Sequence, residues 1–129
     1  MERVLGLGGF FFTSKDPAAV AEWYELHLGV DPVPDSYGGQ AWTQQAGATV
    51  FAPMPEPIEP AQDDFFYRPG QSFALNFRVS DLDAMVQQLR DASIAVSVDE
   101  QVYPNGRFAS LRDPDGNVVQ LWESQEVRP

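Results

Sequence analysis

The chain has 129 residues, a formal net charge of −11 at pH 7, no cysteine, 43% hydrophobic residues and 12% aromatics. That length suits one globular domain, or two small halves sharing a core, and the composition excludes a disordered chain. The missing cysteine excludes disulfides, thiolate nucleophiles and cysteine metal sites. The acidity excludes a nucleic-acid binder, which needs basic clusters, and leaves two readings: attraction of cationic ligands, or simple solubility.

Residues 4–12 are apolar but too short to span a bilayer, and Glu2 precedes them, so we expect a strand there and no membrane segment anywhere. The glycines Gly6, Gly8 and Gly9 do not make a phosphate loop, because no helix opens directly behind them. Ser14 or Asp16 then caps a helix with Pro17 at its first position, and Gly29 ends it. Its apolar stripe is Val20, Trp23, Tyr24 and His27. His27 is the single histidine, with no serine or other partner placed beside it by the sequence, and reads as structural. Residues 40–45 alternate and read as a strand, and 48–54 as the next, with Trp42 and Phe51 among their aromatics.

Residues 53–72 break the pattern with five prolines, four acids and the cluster Phe65-Phe66-Tyr67. A stretch this long without periodicity is a linker or a functional loop. The linker is the favoured reading; a lid over a pocket is the sharper one.

Residues 73–79 form the next expected strand, with Leu75, Phe77 and Val79 on its apolar face and Asn76 and Arg78 on the other. Asp81 lies in a capping sequence for a helix through Asp91, buried by Leu82, Met85, Val86 and Leu89. Strand pieces at 94–98 and 102–103 follow. The chain then reaches a hairpin, 106–112 and 118–123, around Asp113-Pro114-Asp115-Gly116-Asn117. In that turn Pro presets φ, Gly supplies positive φ, and Asp and Asn accept local hydrogen bonds. Glu123 shares a strand face with Val119 and Leu121, and reads either as an exposed strand end or as a site residue.

The two halves repeat an order of strand, capped helix and further strands. Phe12 and Phe77 precede Asp16 and Asp81 at equal distance, an offset of 65 residues (81 minus 16). The hairpin signature, the Trp23-Tyr24 to Leu28-Gly29 run and this repeat together resemble the vicinal oxygen chelate superfamily, which includes glyoxalase I, bleomycin-resistance proteins and extradiol dioxygenases. The resemblance implies an α+β fold of two tandem βαβββ modules, with sheets curved around a central cavity. Module one would span about 1–54, the linker about 55–72 and module two about 73–125. It also implies a homodimer, with Phe65-Phe66-Tyr67 as an apolar anchor.

Metal-using relatives carry histidines seven residues before each capping aspartate. Here those positions hold Gly9 and Ala74, and of the usual terminal ligands the resemblance leaves only Glu123. We therefore expect no metal and no cofactor. The expected ligand-binding residues are Trp42, Phe51, Asn76, Arg78, Arg107 and Glu123, facing one cavity. Arg78 and Arg107 are the expected partners of the Glu123 carboxylate, with Asn76 as a neutral donor. Two functions follow from the resemblance. One is a cytoplasmic, metal-independent binding protein that sequesters an aromatic or cationic small molecule, with no nucleic-acid or membrane partner. The other is an enzyme, a glyoxalase-like lyase, isomerase, epimerase or dioxygenase, with an altered site in which Glu123 is the catalytic base.

Overall fold

Two capped helices and one sheet organise the residues that the structure, a computed structural model, describes: 1–55 and 70–125. Helix α1 is Pro17–Leu28 and helix α2 is Leu82–Asp91. Asp16 caps α1 by accepting the Ala19 N–H at 3.2 Å, and Asp81 caps α2 by accepting the Ala84 N–H at 3.0 Å. Each aspartate satisfies a first-turn N–H that has no partner inside the helix. Helix α1 stops at Gly29, which takes the left-handed conformation, φ 70°.

The sheet has four strands: β1 Leu75–Arg78, β2 Ser97–Val98, β3 Gly106–Arg112 and β4 Val118–Ser124. Their order across the sheet is β1-β4-β3-β2. Strand β4 pairs parallel with β1 and antiparallel with β3, and β2 pairs antiparallel with β3. Together β1, α2, β2, β3 and β4 make one βαβββ unit, so the fold is α+β as expected.

Register decides which side chains are buried. Leu75 stands beside Val119 and Phe77 beside Leu121 on one side of β4, with Leu111 and Ala109 opposite the same two residues on the other. These side chains share one face, and both helices cover it. The core joins Val20 and Tyr24 of α1, Leu82, Val86 and Leu89 of α2, and Ala109, Leu111, Val119 and Leu121 of the sheet; Phe77 and Val79 pack against it. Arg78 lies on the other face, as the alternation of β1 predicts.

The expected hairpin forms at its expected place. Asp113 Oδ1 accepts the N–H groups of Asp115 at 3.0 Å and Asn117 at 2.8 Å. Its Oδ2 accepts the Asn117 amide at 3.0 Å and the Tyr24 hydroxyl at 2.7 Å. The last bond fastens α1 to the turn.

The first half differs from expectation. Residues 5–13, 40–45 and 48–54 form no strand pairing. Strand 94–98 shortens to Ser97–Val98, and Tyr103 keeps a single bridge to Gly106. A strand needs a neighbour to accept its backbone hydrogen bonds. The alternating segments of the first half have none here, and Leu5, Phe11, Val50 and Phe51 are exposed. What the first half adds to the second module is chiefly α1. The expected linker lies mostly, and Phe65-Phe66-Tyr67 wholly, outside the described residues. Among the described residues no helix is long and apolar enough to cross a membrane.

Burial, then the hydrogen bond to Asp113 and the charge of that carboxylate, push the Tyr24 phenol well above the usual tyrosine range. The folded state thus keeps a proton that the unfolded chain loses above about pH 10. The stabilisation is complete below that pH and is lost as pH rises past it. Tyr24→Phe should be about 1–2 kcal/mol less stable at pH 8, the cost of a buried hydrogen bond. In chemical denaturation the gap to the wild type should narrow above about pH 10. A gap that stays constant to pH 11 would count against this account.

Candidate functional site

Of the six residues expected around one cavity, the four on strands divide between the two faces of the sheet, and Trp42 and Phe51 lie outside it. Arg107 and Glu123 are register partners, and both lie on the helix-covered face. The reason is alternation: Glu123 follows Val119 and Leu121, which face the core, so it emerges where that face meets the first turn of α2. There Glu123 Oε1 accepts the Leu82 N–H at 3.0 Å, and Oε2 lies 3.9 Å from Arg107 Nη1. Arg107 also donates two bonds to Asp83, at 3.0 and 3.2 Å. Those bonds and the arginine charge hold the Asp83 carboxyl below the usual carboxylate range. An open groove of about 470 Å³ runs past these residues, lined also by Val79, Ser80, Gly106, Ser124 and Gln125. Glu123 therefore does not share a cavity with Asn76 and Arg78. It serves the N-terminus of α2, whose exposed N–H groups and dipole favour a carboxylate.

Asn76 and Arg78 lie on the face that the helices leave uncovered. Register builds two rows across it. Asn76, Gln120, Ser110 and Ser97 stand side by side from β1 to β2, and Arg78, Trp122 and Phe108 form the next row. In the polar row the Asn76 amide donates to Gln120 Oε1 at 2.5 Å. In the aromatic row the Phe108 and Trp122 rings are parallel within 5°, centroids 6.3 Å apart, and Tyr103 meets Phe108 edge-on at 5.7 Å. Trp122 Nε1 donates to the Asn105 carbonyl at 2.8 Å, and the Tyr103 hydroxyl to Asp99 at 2.8 Å. Both polar tips are thereby turned to local partners, and the rings stand together on this face.

Arg78 reaches past the sheet edge to the carbonyls of Gln45, at 2.8 Å, and Ala46, at 3.4 Å. Trp42 meets Phe77 at 6.2 Å from the same segment, and Phe51 is 83% exposed. Gln120, 8% exposed in the middle of the polar row, is the residue that sequence reading passed over. Its alternation was visible, but no motif singled it out.

A first-row metal needs three or four convergent N, O or S donors. Gly9 and Ala74 have no side-chain donor to give. Among the described residues no three His, Cys, Asp or Glu side chains converge. The Gln120 oxygen already accepts from Asn76. Among the described residues the donors do not fit such an ion.

Since Glu123 supports α2, its loss should be felt as helix capping. Glu123→Ala should cost about 1–2 kcal/mol, in the range of lost caps and of buried groups left unpaired. Glu123→Gln keeps an acceptor for the Leu82 N–H and should cost less. Equal losses in both variants would assign the stabilisation to charge alone.

Comparison with known proteins bears on this geometry. A family model described as Glyoxalase/Bleomycin resistance protein/Dioxygenase superfamily matches residues 6–121. No curated protein matches. Among solved structures, a glyoxalase/dioxygenase from Nostoc punctiforme is 18% identical over 98% of this chain and 99% of its own, with a TM-score of 0.54. An antibiotic binding protein from Streptomyces sp. CB03234 is 24% identical over 87% of this chain and 88% of its own, with a TM-score of 0.52. A glyoxalase/bleomycin resistance protein from the same organism is 38% identical, but the match spans only 39% of this chain and 43% of that one, with a TM-score of 0.35. The two long alignments share the fold, and with the family match running from residue 6 to residue 121, this chain belongs to the glyoxalase/bleomycin resistance protein/dioxygenase superfamily.

Proposed function

We propose that the chain is a metal-independent small-molecule-binding protein whose ligand lies on the helix-free face of the sheet. The observation that carries this reading is the pairing of the two rows. Phe108 and Trp122 supply an aromatic floor of two parallel rings, and Asn76, Gln120 and Ser110 supply hydrogen-bonding groups two residues away along the strands. Ligand sites combine a mostly apolar lining with a few placed polar groups in this way. The fold admits such a use, since one neighbour of the same fold is described as antibiotic binding.

A single sheet face encloses little. We take the opposite wall to come from the tandem arrangement of two modules, with homodimerisation ordering the first half. The support is the exposed apolar side chains there, among them Leu5, Phe11 and Val50. Residence in the cytoplasm, without nucleic-acid or membrane partners, belongs to the same reading and draws on the −11 charge and the absence of cysteine.

The enzyme reading places its base at Glu123. The geometry favours binding instead: one Glu123 oxygen accepts the Leu82 N–H, the other faces Arg107, and neither reaches the aromatic floor.

Titration with planar aromatic compounds should quench tryptophan emission in the wild type, and the response should fall in Trp122→Phe. Phe108→Ala should weaken binding about tenfold, or about 1.4 kcal/mol, the scale of an aromatic contact. Saturable binding that ignores both substitutions would move the ligand elsewhere. Sedimentation at micromolar concentrations should give the mass of two chains; the mass of one would remove the dimer from the proposal.

A further inference from the structure

We infer that Arg78 selects an acidic group on the ligand, so that the preferred ligands are aromatic acids, carboxylates above all. This rests on the reading of the helix-free face as the binding surface. It runs opposite to the cationic ligand that the net charge of −11 suggests.

The first ground is the sign of the charges on that face. Across the four strands the single acidic residue is Glu123, and it lies on the helix-covered side. The helix-free side of the strands carries two arginines, Arg78 and Arg112, and no carboxylate. Asp99 flanks the aromatic row and accepts the Tyr103 hydroxyl. Arg112 donates to the Gly116 carbonyl at the far end of the hairpin. Arg78 is the cation beside the rings, in register with Trp122.

The second ground is how Arg78 is held. Its two hydrogen-bond partners are the backbone carbonyls of Gln45 and Ala46, which fix its position without neutralising it. Among the described residues no carboxylate lies within ion-pair distance of it. A guanidinium has five N–H donors, so two carbonyl bonds leave donors over for a bidentate carboxylate. A Cβ at Gly47 would overlap Nη1 of Arg78 and lie 2.7 Å from Cζ, so glycine leaves the guanidinium its seat. A planar ligand lying beside Trp122 would thus present a substituent at its end to a cation that has no carboxylate partner among the described residues. Among the described residues the other acids make no ion pair with Arg78, and fields across solvent fade over about 8 Å at physiological salt, so the local arginine decides.

Three matched probes test this by fluorescence titration: 1-hydroxy-2-naphthoate, the neutral 1-hydroxy-2-naphthamide and the cationic proflavine. The naphthoate should bind the wild type about tenfold or more tighter than the amide, as a charge-assisted bidentate contact predicts. Arg78→Gln should bring the naphthoate down to the affinity of the amide. Gly47→Ala keeps the arginine but fills its seat, and should erode the preference while the thermal melt stays that of a folded protein. Equal binding of naphthoate and amide, or tighter binding of proflavine, overturns the inference and leaves the binding face standing. Failure of all three probes to bind overturns the binding reading itself, and this inference with it.

Discussion

The carboxylate of Asp113 holds together what the rest of the sheet depends on. It accepts four hydrogen bonds, two from the turn backbone, one from the Asn117 amide and one from the Tyr24 hydroxyl. The first three set the turn, and with it the register of β3 against β4. The fourth docks α1 onto the same point. Strand side chains alternate with a period of two, so a slip of one residue would exchange the two faces entirely. Val119 and Leu121 would then meet solvent, and Gln120 and Trp122 would be driven under the helices. A buried carboxylate is costly unless it is fully engaged, and here the engagement does the work of specifying the register.

From that register follow two surfaces of different character. The helix-covered face is apolar in its middle and ionic at one end, where Glu123, Arg107 and Asp83 gather at the first turn of α2. The other face has no helix over it and carries an amide row beside an aromatic row. The ionic cluster attracts notice because its residues are charged, yet its hydrogen bonds are spent on the helix terminus. The quieter face carries the rings, with Arg78 at its edge held by the Gln45 and Ala46 carbonyls.

Much of this was legible in local sequence. Asp16-Pro17, Gly29 and Asp81 mark helix ends by chemistry that acts within a few residues, and Asp113 to Asn117 encode their own turn. The apolar face of β1 was legible too, because alternation needs no partner to be seen. The division of the site was not legible to the same degree. That Glu123 and Arg78 take opposite faces depends on β1 pairing with β4 through Phe77 and Leu121, a contact between residues distant in the chain. Read strand by strand, both side chains were free to be called inward. Gln120 escaped notice because an amide in a strand has no motif; only Asn76 beside it gives it a role. The strands expected in the first half rested on apolar runs and alternation, and neither says what will pair with the backbone.

The overall charge illustrates the same limit. A total of −11 describes the molecule seen from several Debye lengths away, and it governs solubility and long-range approach. It does not describe a face whose strands hold arginines and no acid. Four of the acids serve the fold itself: Asp16 and Asp81 cap helices, Glu123 reaches a helix terminus, and Asp113 sets a turn. Each of these is committed to a backbone N–H and contributes to the fold before it contributes to any ligand. Arg78 differs because its partners are two neutral carbonyls. A carbonyl pair positions a guanidinium but leaves its charge available, and an available charge beside aromatic rings is a recognition element in its own right. Whole-chain electrostatics therefore points toward cations, while the one charge that the sheet leaves unspent beside its rings points toward acids, and at contact distance the nearer charge prevails.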